Sequence, residues 1–257
     1  GNTILTGVGG NPNVKPEDAD TVTVGIVFEP AFLEGFTATI DYFDIKIDNA
    51  INAVDGSDQL RLCYTDPTVY AEFCNSFTRD PITNQVTFLS KRPVNASKEE
   101  VSGIDYAFTY NTDIAGLDAL FSVRATNLLK HENQANPAAE VEILRGKITA
   151  DRGSFAKWRM NLGAKVRAEN WSAGWSVRMI GEADDENGGG PIGSSVDNIF
   201  YHDLNFNYFV SDSLKLSLGV DNAFDKKAPY ITSWNDANTD VFTYDLLGQR
   251  WYMRASY

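Results

Sequence analysis

The most reactive side chains in this sequence belong to its two cysteines, Cys63 and Cys74. Ten residues separate them, so a disulfide closes easily and is expected to contribute about 3 kcal/mol by the chain-entropy estimate. Two cysteines in one polar stretch favour a disulfide, and therefore an oxidising compartment such as the periplasm or the cell exterior. A pair of free buried thiols is the alternative. A metal site is not expected, because neither His131 nor His202 lies at ligand spacing to the cysteines.

Neither the motifs nor the composition of the chain favour catalysis or nucleic-acid binding. No nucleophile is paired with a histidine, and no strand, glycine loop and helix follow one another to hold a phosphate. The formal net charge of −13 opposes binding to nucleic acid, whose phosphates require a basic face. We therefore predict no enzymatic activity, no cofactor and no nucleic-acid partner.

Polar and apolar side chains alternate along several stretches of the chain. Between Trp158 and Arg167, every second residue is apolar and the residues between them are polar or glycine. A period of two is typical of a β-strand whose two faces meet different surroundings. Similar alternation predicts strands near residues 21–28, 36–48, 101–110, 119–126, 171–179, 199–210, 214–221 and 251–257.

The connections between these strands are alternately short and long. The short ones lie near residues 29–35, 111–117, 167–173 and 211–213, and the long ones near residues 49–100, 130–154, 181–196 and 225–249. An up-and-down antiparallel meander collects short turns at one end and long loops at the other, as in bacterial outer-membrane barrels. A Greek-key sandwich gives no reason for this asymmetry. No run of about 18 apolar residues could form a membrane helix, but a barrel strand needs only every second residue to be apolar.

These features predict an all-β, antiparallel, up-and-down transmembrane β-barrel segment of about nine strands. Nine is an odd number, whereas single-chain bacterial barrels have even numbers of strands and close to hide their edges. We therefore expect the chain to be part of a larger barrel.

Five short motifs, in chain order, resemble those of the TonB-dependent outer-membrane receptors. They are NPNVKPE at residues 11–17, IDYFDIKIDNAI at 40–51, VSGID at 101–105, LGVDNAFD at 218–225 and YDLLGQR at 244–250. The corresponding family patterns are GNPxLKPE, DYFDIxIxNAI, VxGxD, LGVxNLFD and YDxLGR. Two departures are Gln249, where members usually have arginine, and Tyr257, where they commonly end in phenylalanine.

The resemblance implies that residues 1–257 form the C-terminal portion of a 22-stranded barrel, without the plug domain that fills the lumen of family members. The short turns are then periplasmic and the long loops extracellular. The segment that contains both cysteines lies outside the cell in this topology, which agrees with an oxidised pair.

Strand parity and the resemblance together suggest three groups of functional residues. The polar parity would line the lumen, and its candidates are Arg124, Arg159, Asn161, Lys165, Arg178, Asp203 and Asn205. Trp234 and Asn235 are candidates for ligand capture in a loop, because aromatic and amide groups suit sugars and siderophores alike. The alternating residues Trp251, Met253, Ala255 and Tyr257 resemble the family's outer-membrane assembly signal.

The function implied by the resemblance is TonB-dependent uptake of a scarce, bulky nutrient, such as a siderophore or a glycan, across the bacterial outer membrane. The expected partners are the rest of the receptor with its plug and N-terminal strands, the TonB–ExbB–ExbD complex, the barrel assembly machinery, lipid or lipopolysaccharide, and the ligand. A passive outer-membrane porin is one alternative, and a soluble β-sandwich that binds glycans is another.

Overall fold

The computed structural model describes residues 4–150, 152–234 and 236–257. These residues contain two helices, α1 (Gly56–Thr65) and α2 (Ala71–Cys74). The strands, in chain order, are β1 (Leu5–Val8), β2 (Asp18–Phe28), β3 (Phe36–Ala53), β4 (Phe77–Arg79), β5 (Val86–Lys91), β6 (Pro93–Ile114), β7 (Leu117–Gln134), β8 (Glu142–Ile143), β9 (Lys147–Thr149), β10 (Gly153–Ser154), β11 (Trp158–Arg167), β12 (Trp171–Ile180), β13 (Ala183–Asp185), β14 (Ser195–Val196), β15 (Ile199–Phe209), β16 (Lys215–Asp221) and β17 (Arg250–Ser256).

Nine strands form the main path of one sheet, in the order β2, β3, β6, β7, β11, β12, β15, β16 and β17. Strand β8 joins the same sheet by pairing with β7. The pairings from β7 to β17 are antiparallel. The predicted count of about nine strands and the meander order are therefore confirmed. Within the described residues the sheet does not close, and β2 and β17 are its two edges.

Short and long connections alternate along this path as the sequence predicts. The tightest turn joins β6 to β7 through Ala115 and Gly116, which have φ angles of 55° and 81°. Positive φ at both central residues is the conformation that matches the twist of two antiparallel strands. The Asp113 carboxylate also accepts a hydrogen bond from the Gly116 N–H at 2.9 Å.

Two compact units can be distinguished from the contacts within the chain. The loop unit comprises Gly1–Thr21, Ile45–Val101 and Glu132–Ile143. The sheet unit comprises Val22–Asp44, Ser102–His131 and Leu144–Tyr257. Strands β2, β3, β6 and β7 contribute residues to both units.

The loop unit is organised around a small apolar core that includes Val54, Leu62, Phe73 and Val94. Leu62 lies on α1 and Phe73 on α2, and a disulfide joins Cys63 on α1 to Cys74 at the end of α2. The predicted disulfide is therefore present. A three-stranded sheet with the order β1, β5, β4 completes this unit. Neither helix described in the structure is long and apolar enough to cross a membrane.

The NPNVKPE motif is fixed within the loop unit by side-chain amides. Asn95 accepts a hydrogen bond from the Lys15 N–H at 2.8 Å and donates one to the Lys15 carbonyl at 2.9 Å. Its amide also donates to the Asn49 carbonyl, and Asn11 donates to the Pro93 carbonyl. The motif therefore has a structural role, which is to hold the N-terminal segment beside β3 and β6.

Strands β3 and β6 are longer than the sequence indicates. The predicted loop at residues 49–100 begins inside β3, which continues to Ala53, and ends inside β6, which starts at Pro93. Polar residues occupy both parities of these strand ends, as in the NASKEE stretch at 95–100, so no period-two pattern marks them. Residues between the two strands form α1, α2, β4 and β5 rather than an irregular loop.

The last two strands of the sheet are fastened by an aromatic side chain that covers a glycine. Tyr252 of β17 is paired with Gly219 of β16, and a Cβ atom added at Gly219 would collide with the tyrosine ring and hydroxyl. An aromatic ring lying over a glycine in the neighbouring strand supports the register of a strand pair. Arg250 and Asp221 add an ion pair at 3.4 Å between the same two strands.

We expect loss of the disulfide to loosen the loop unit while leaving the sheet unit intact. The double variant Cys63→Ser, Cys74→Ser should be cleaved faster by proteases between residues 54 and 92, because the disulfide contributes about 3 kcal/mol to this unit. Limited proteolysis with mass spectrometry measures the rate. Reductant should have the same effect on the unmodified protein and none on the double variant. Equal cleavage rates with and without the disulfide would contradict this prediction.

We expect Gly219→Ala to destabilise the C-terminal strand pair, because the added methyl group displaces the Tyr252 ring. Overpacking of this kind costs about 1–3 kcal/mol, and the midpoint of thermal or urea unfolding measures it. Gly189→Ala is the matched control, since a Cβ atom there meets no other atom within 4 Å. The same midpoint for both variants would show that the Tyr252 contact does not support the strand pair.

Candidate functional site

Strands β7, β11 and β12 align three of the predicted lumen residues. Asn161 is paired with Arg124 on one neighbouring strand and with Arg178 on the other. Directly opposed residues of antiparallel strands project to the same side of the sheet. These three side chains therefore form one row on one face, which we call the polar face.

The other four predicted lumen residues lie on the same face. Lys165 and Asn205 are both paired with Gly174, so they share its side of the sheet. Arg159 and Asp203 also lie on this face, because residues two positions apart on a strand point the same way. Arg159 is two positions from Asn161, and Asp203 is two positions from Asn205. The register thus brings together all seven residues, and that they line a lumen stays a prediction.

The opposite face of the sheet is apolar, and its large side chains on β15, β16 and β17 are exposed. Leu162 is paired with Val123 and Val177 at the centre of this face. Eight large apolar side chains of β15, β16 and β17 are 43–85% exposed: Phe200, Leu204, Phe206, Tyr208, Leu216, Leu218, Trp251 and Met253. A continuous apolar surface of this kind marks a region that contacts lipid or another protein.

His202 is a polar exception on the apolar face. It lies between Phe200 and Leu204 in β15, and its Nδ1 atom accepts a hydrogen bond from the Trp175 Nε1–H at 3.2 Å. The two rings are stacked with centroids 5.8 Å apart, and Phe224 contacts the imidazole edge-on at 4.9 Å. The tryptophan therefore satisfies one polar atom of the imidazole on an otherwise apolar surface.

A cleft of about 540 Å³ lies in the sheet unit, between the polar face and the segment at residues 242–245. Asp240 shapes this segment, since its Oδ1 atom accepts hydrogen bonds from the N–H groups of Phe242 and Thr243 at 2.9 and 3.2 Å. The cleft is lined by Asn161, Ser176, Val177, Arg178, Tyr201, Asp203, Asp221, Phe242, Thr243, Tyr244, Asp245 and Arg250. Three of the predicted lumen residues, Asn161, Arg178 and Asp203, thus line one cavity.

Arg178 and Tyr201 contact each other in the wall of the cleft. The Arg178 guanidinium lies over the Tyr201 ring at 4.9 Å from its centroid. The Tyr201 hydroxyl accepts a hydrogen bond from the Asp245 N–H at 3.1 Å, which ties the segment to the sheet. Arg178 forms no ion pair with any residue that the structure describes. Its N–H groups can therefore bind an acceptor group of a ligand in the cleft.

Two acidic side chains that line the cleft are already partly engaged. Asp203 accepts a hydrogen bond from the Asn222 N–H at 2.8 Å, and Asp221 pairs with Arg250. The phenol of Tyr244 is buried, and this burial raises its pKa to about 12. Tyr244 therefore stays protonated at physiological pH and acts only as a hydrogen-bonding group. The cleft offers mixed charge and hydrogen-bonding groups rather than a uniformly basic surface.

The two motifs at residues 218–225 and 244–250 meet where the loop between β16 and β17 begins and ends. Asp225 accepts hydrogen bonds from the Lys227 ammonium and the Gln249 N–H, and these contacts lower the pKa of its carboxyl. Gln249, a departure from the family pattern, donates to the Ala223 carbonyl and accepts from the Trp251 indole. The glutamine thus performs a structural role in closing the loop.

Of the two residues predicted to capture a ligand, the structure describes only Trp234. Trp234 is only 4% exposed and packs with Ile148, Ile231 and Tyr244 in the main apolar core of the sheet unit. Its indole is therefore shielded from solvent, and that it captures a ligand stays a prediction. Asn235 lies outside the described residues.

The predicted assembly signal forms the edge strand β17. Trp251, Met253 and Ala255 are paired with Val220, Leu218 and Leu216 on the apolar face of the sheet. Tyr257, just beyond the strand, is fully exposed. That these residues act as an assembly signal stays a prediction.

Sequence reasoning did not identify most of the cleft. Tyr201 and Asp221 lie on the polar parity of their strands, so the alternation pattern could have identified them as polar-face residues. Phe242, Tyr244 and Asp245 were not predictable as lining residues, because only the fold of the loop brings them beside β12 and β15. Within the part of the chain that the structure describes, no group of three or more His, Cys, Asp or Glu residues could hold a metal ion.

Comparisons with solved structures show the same fold. A variant of the ferric enterobactin receptor PfeA from Pseudomonas aeruginosa aligns with a TM-score of 0.62 and 19% identity, over 95% of this chain and 31% of that chain. The siderophore receptor PirA from Acinetobacter baumannii aligns with a TM-score of 0.60 and 18% identity, over 97% and 33%. The FrpB iron transporter from Neisseria meningitidis aligns with a TM-score of 0.59 and 17% identity, over 97% and 32%.

This chain therefore spans about a third of the length of each of these three proteins. No curated protein matches the sequence. A family model described as "TonB dependent receptor-like, beta-barrel" matches residues 1–223, which is most of the chain. The resemblance inferred from the five motifs is confirmed, and the chain belongs to the TonB-dependent receptor-like β-barrel family.

Proposed function

We propose that this chain is the C-terminal part of the β-barrel of an outer-membrane receptor that imports a scarce, bulky nutrient. The observation that carries this proposal is the division of one antiparallel sheet into an apolar face that is exposed and a polar face that bears a cleft. The family membership and the fold support it. The family consists of receptors and transporters, which favours transport over catalysis.

The apolar face supports an assignment to lipid. In water, apolar surface costs about 25 cal/mol per Å², and the exposed side chains of β15, β16 and β17 form a continuous surface. In a bilayer the same surface can contact the lipid tails directly. The backbone N–H and C=O groups of paired strands are already hydrogen-bonded to one another, so they need no water. The seven polar-face residues then face the interior of the barrel, and the two edges β2 and β17 would pair with strands from the rest of the receptor.

The alternation of connections supports a topology. We place the short turns in the periplasm and the long loops, near residues 49–100, 130–154, 181–196 and 225–249, outside the cell. The disulfide agrees with this placement, because such bonds form and persist in oxidising compartments. The chain would be delivered to the outer membrane by the barrel assembly machinery, with the β17 residues as the signal, and would contact lipid or lipopolysaccharide there.

The cleft supports a role in passing the ligand to the barrel interior. Arg178 is held by Tyr201 with N–H groups available for an acceptor, and the exposed ring of Phe242 offers a stacking surface. Similar proteins are described as a ferric enterobactin receptor, a siderophore receptor and an iron transporter. We infer that the substrate is an iron-carrying siderophore, and that the TonB–ExbB–ExbD complex supplies energy through the plug of the full-length receptor.

The lipid assignment predicts opposite results for two neighbouring substitutions in β11. Leu162→Arg should prevent assembly of the full-length protein, because a charge at the bilayer midplane costs about 2–4 kcal/mol. Asn161→Asp is the matched control, since it adds a charge on a side chain of nearly the same size on the polar face, between Arg124 and Arg178. The amount of folded protein in outer-membrane fractions, read from heat-modifiable migration, distinguishes them. Equal yields of the two variants would show that the apolar face does not contact lipid.

The transport proposal predicts energy-dependent uptake that requires the cleft. Cells that produce the full-length protein should accumulate a radiolabelled ferric catecholate siderophore, and loss of TonB should abolish accumulation. Arg178→Ala should reduce uptake about 10- to 150-fold, because a hydrogen bond to a charged group contributes about 1.5–3 kcal/mol. Arg167→Ala is the control, as Arg167 stacks on Phe209 at the other end of the strands and does not line the cleft.

Two outcomes would count against this account of transport. Accumulation that continues without TonB would identify a passive porin. Normal TonB-dependent uptake in the Arg178→Ala variant would leave the transporter assignment standing but remove the cleft from the ligand path.

A further inference from the structure

One nitrogen atom of His202 is a hydrogen-bond donor without a partner on the apolar face. The Trp175 indole N–H can only donate, so the Nδ1 atom that accepts from it carries no proton, and the proton of the imidazole lies on Nε2. Within the described residues this Nε2–H group makes no hydrogen bond, and its nitrogen is not among the buried unpaired atoms. The donor is therefore both unpaired and accessible.

An unpaired donor has different consequences in water and in lipid. In water, the Nε2–H group of His202 would be hydrated. The inference drawn below rests on the proposed contact between the apolar face and lipid, where a polar group without a partner is strongly disfavoured. On that face the imidazole needs an acceptor oxygen that the membrane itself supplies.

His202 lies at a level of the sheet where a membrane has such oxygens. Its carbonyl accepts a hydrogen bond from the Ala223 N–H at 2.6 Å, just beyond the end of β16. In the proposed topology this is the extracellular end of the strand. The exposed ring of Phe224 contacts the imidazole, and exposed Trp251 is paired with Val220 near the same strand end. Aromatic side chains of barrels collect at the level of the lipid headgroups.

A positive charge is held at the same end of the β15–β16 pair. The Asn222 side chain accepts a hydrogen bond from the Lys226 N–H at 2.8 Å and donates one to the Lys226 carbonyl at 2.9 Å. Asn222 directly precedes Ala223, so these bonds fix the Lys226 backbone at the strand end where His202 lies. Lys226 is exposed, and its ammonium forms no ion pair with any residue that the structure describes.

The acceptor that suits both an N–H donor and an ammonium is an anionic oxygen. A phosphate group offers several such oxygens, and hydrogen bonds to a charged group are stronger than those between neutral groups. The neighbouring Asp225 carboxylate is paired with Lys227, which leaves Lys226 available. We propose that His202, Phe224 and Lys226 form a binding site for the phosphate group of an outer-leaflet lipid. In a bacterial outer membrane this lipid is lipopolysaccharide, whose lipid A anchor carries phosphates.

A phosphate bound at this site would have two consequences for the sheet unit. It would complete the hydrogen bonding of the imidazole, which Trp175 satisfies on one side only. It would also fix the level of the β15–β16 strand end in the outer leaflet, where the long loop to β17 begins.

The test is native mass spectrometry of the detergent-solubilised full-length protein, titrated with diphosphorylated lipid A, with its dephosphorylated form and with inorganic phosphate. The diphosphorylated lipid should bind saturably and about tenfold or more tighter than the dephosphorylated form, because its phosphate accepts a hydrogen bond. Equal binding of the two lipids would overturn the proposal. Inorganic phosphate that binds as tightly as the phosphorylated lipid would overturn the assignment to a lipid.

Substitutions at the site separate its two donors. His202→Leu should weaken binding of the diphosphorylated lipid about tenfold or more, and His202→Gln, whose amide offers an N–H donor, should retain most of the affinity. Lys226→Gln should cost about two- to fivefold, because an exposed charge pair contributes little. Lys215→Gln, at the other end of β16, is the matched control and should bind normally. Unchanged affinity in both His202→Leu and Lys226→Gln would contradict the proposal.

Failure of this site and failure of the lipid assignment give different results. Heat-modifiable migration shows which variants are folded, and the two glutamine variants keep the test valid if His202→Leu does not assemble. Loss of the phosphate preference while Leu162→Arg still blocks assembly would remove the phosphate site alone. Normal assembly of Leu162→Arg would remove the lipid contact on which the site depends.

Discussion

The rest of the structure depends on the pairing of antiparallel strands in a register that separates polar from apolar side chains. From β7 to β17, directly opposed residues keep Arg124, Asn161 and Arg178 on one face and Val123, Leu162 and Val177 on the other. A slip of one residue in any pairing would move charges onto the apolar face. The register is therefore fixed by the same side chains that give the two faces their different surroundings.

The long connections complete the cleft and build the loop unit, which the strand register alone does not provide. The connection between β16 and β17 places Ile231, Trp234 and Tyr244 in an apolar core shared with Ile148, Ile180 and Ile199, and it covers part of the polar face to form the cleft. In the loop unit, a disulfide and a small apolar core keep the connection between β3 and β6 folded. Both connections are thus folded structures, held by packing and by side-chain hydrogen bonds to the backbone.

The clean alternation in β11, β12, β15 and β16 made the strands, their order and the shared face of seven polar residues predictable from the sequence. The full lengths of β3 and β6 were not, because their ends carry polar residues on both parities. The environment of Trp234 was not predictable either, since its burial depends on contacts with Ile148, which lies 86 residues earlier in the chain. Asp240 looks like an ordinary loop acid in the sequence, and only the fold shows that its side chain is completely buried.

The central claim, that one face of the sheet meets lipid and the other the barrel interior, is tested most directly with spin labels on two adjacent residues of β16. Leu218 lies on the apolar face, opposite Met253, and Ser217 on the polar face, opposite Arg254. In the full-length protein reconstituted into bilayers, a label at 218 should be relaxed mainly by oxygen, which concentrates in lipid. A label at 217 should be relaxed mainly by a water-soluble nickel chelate. The same preference at both positions, or the reverse order, would contradict the account.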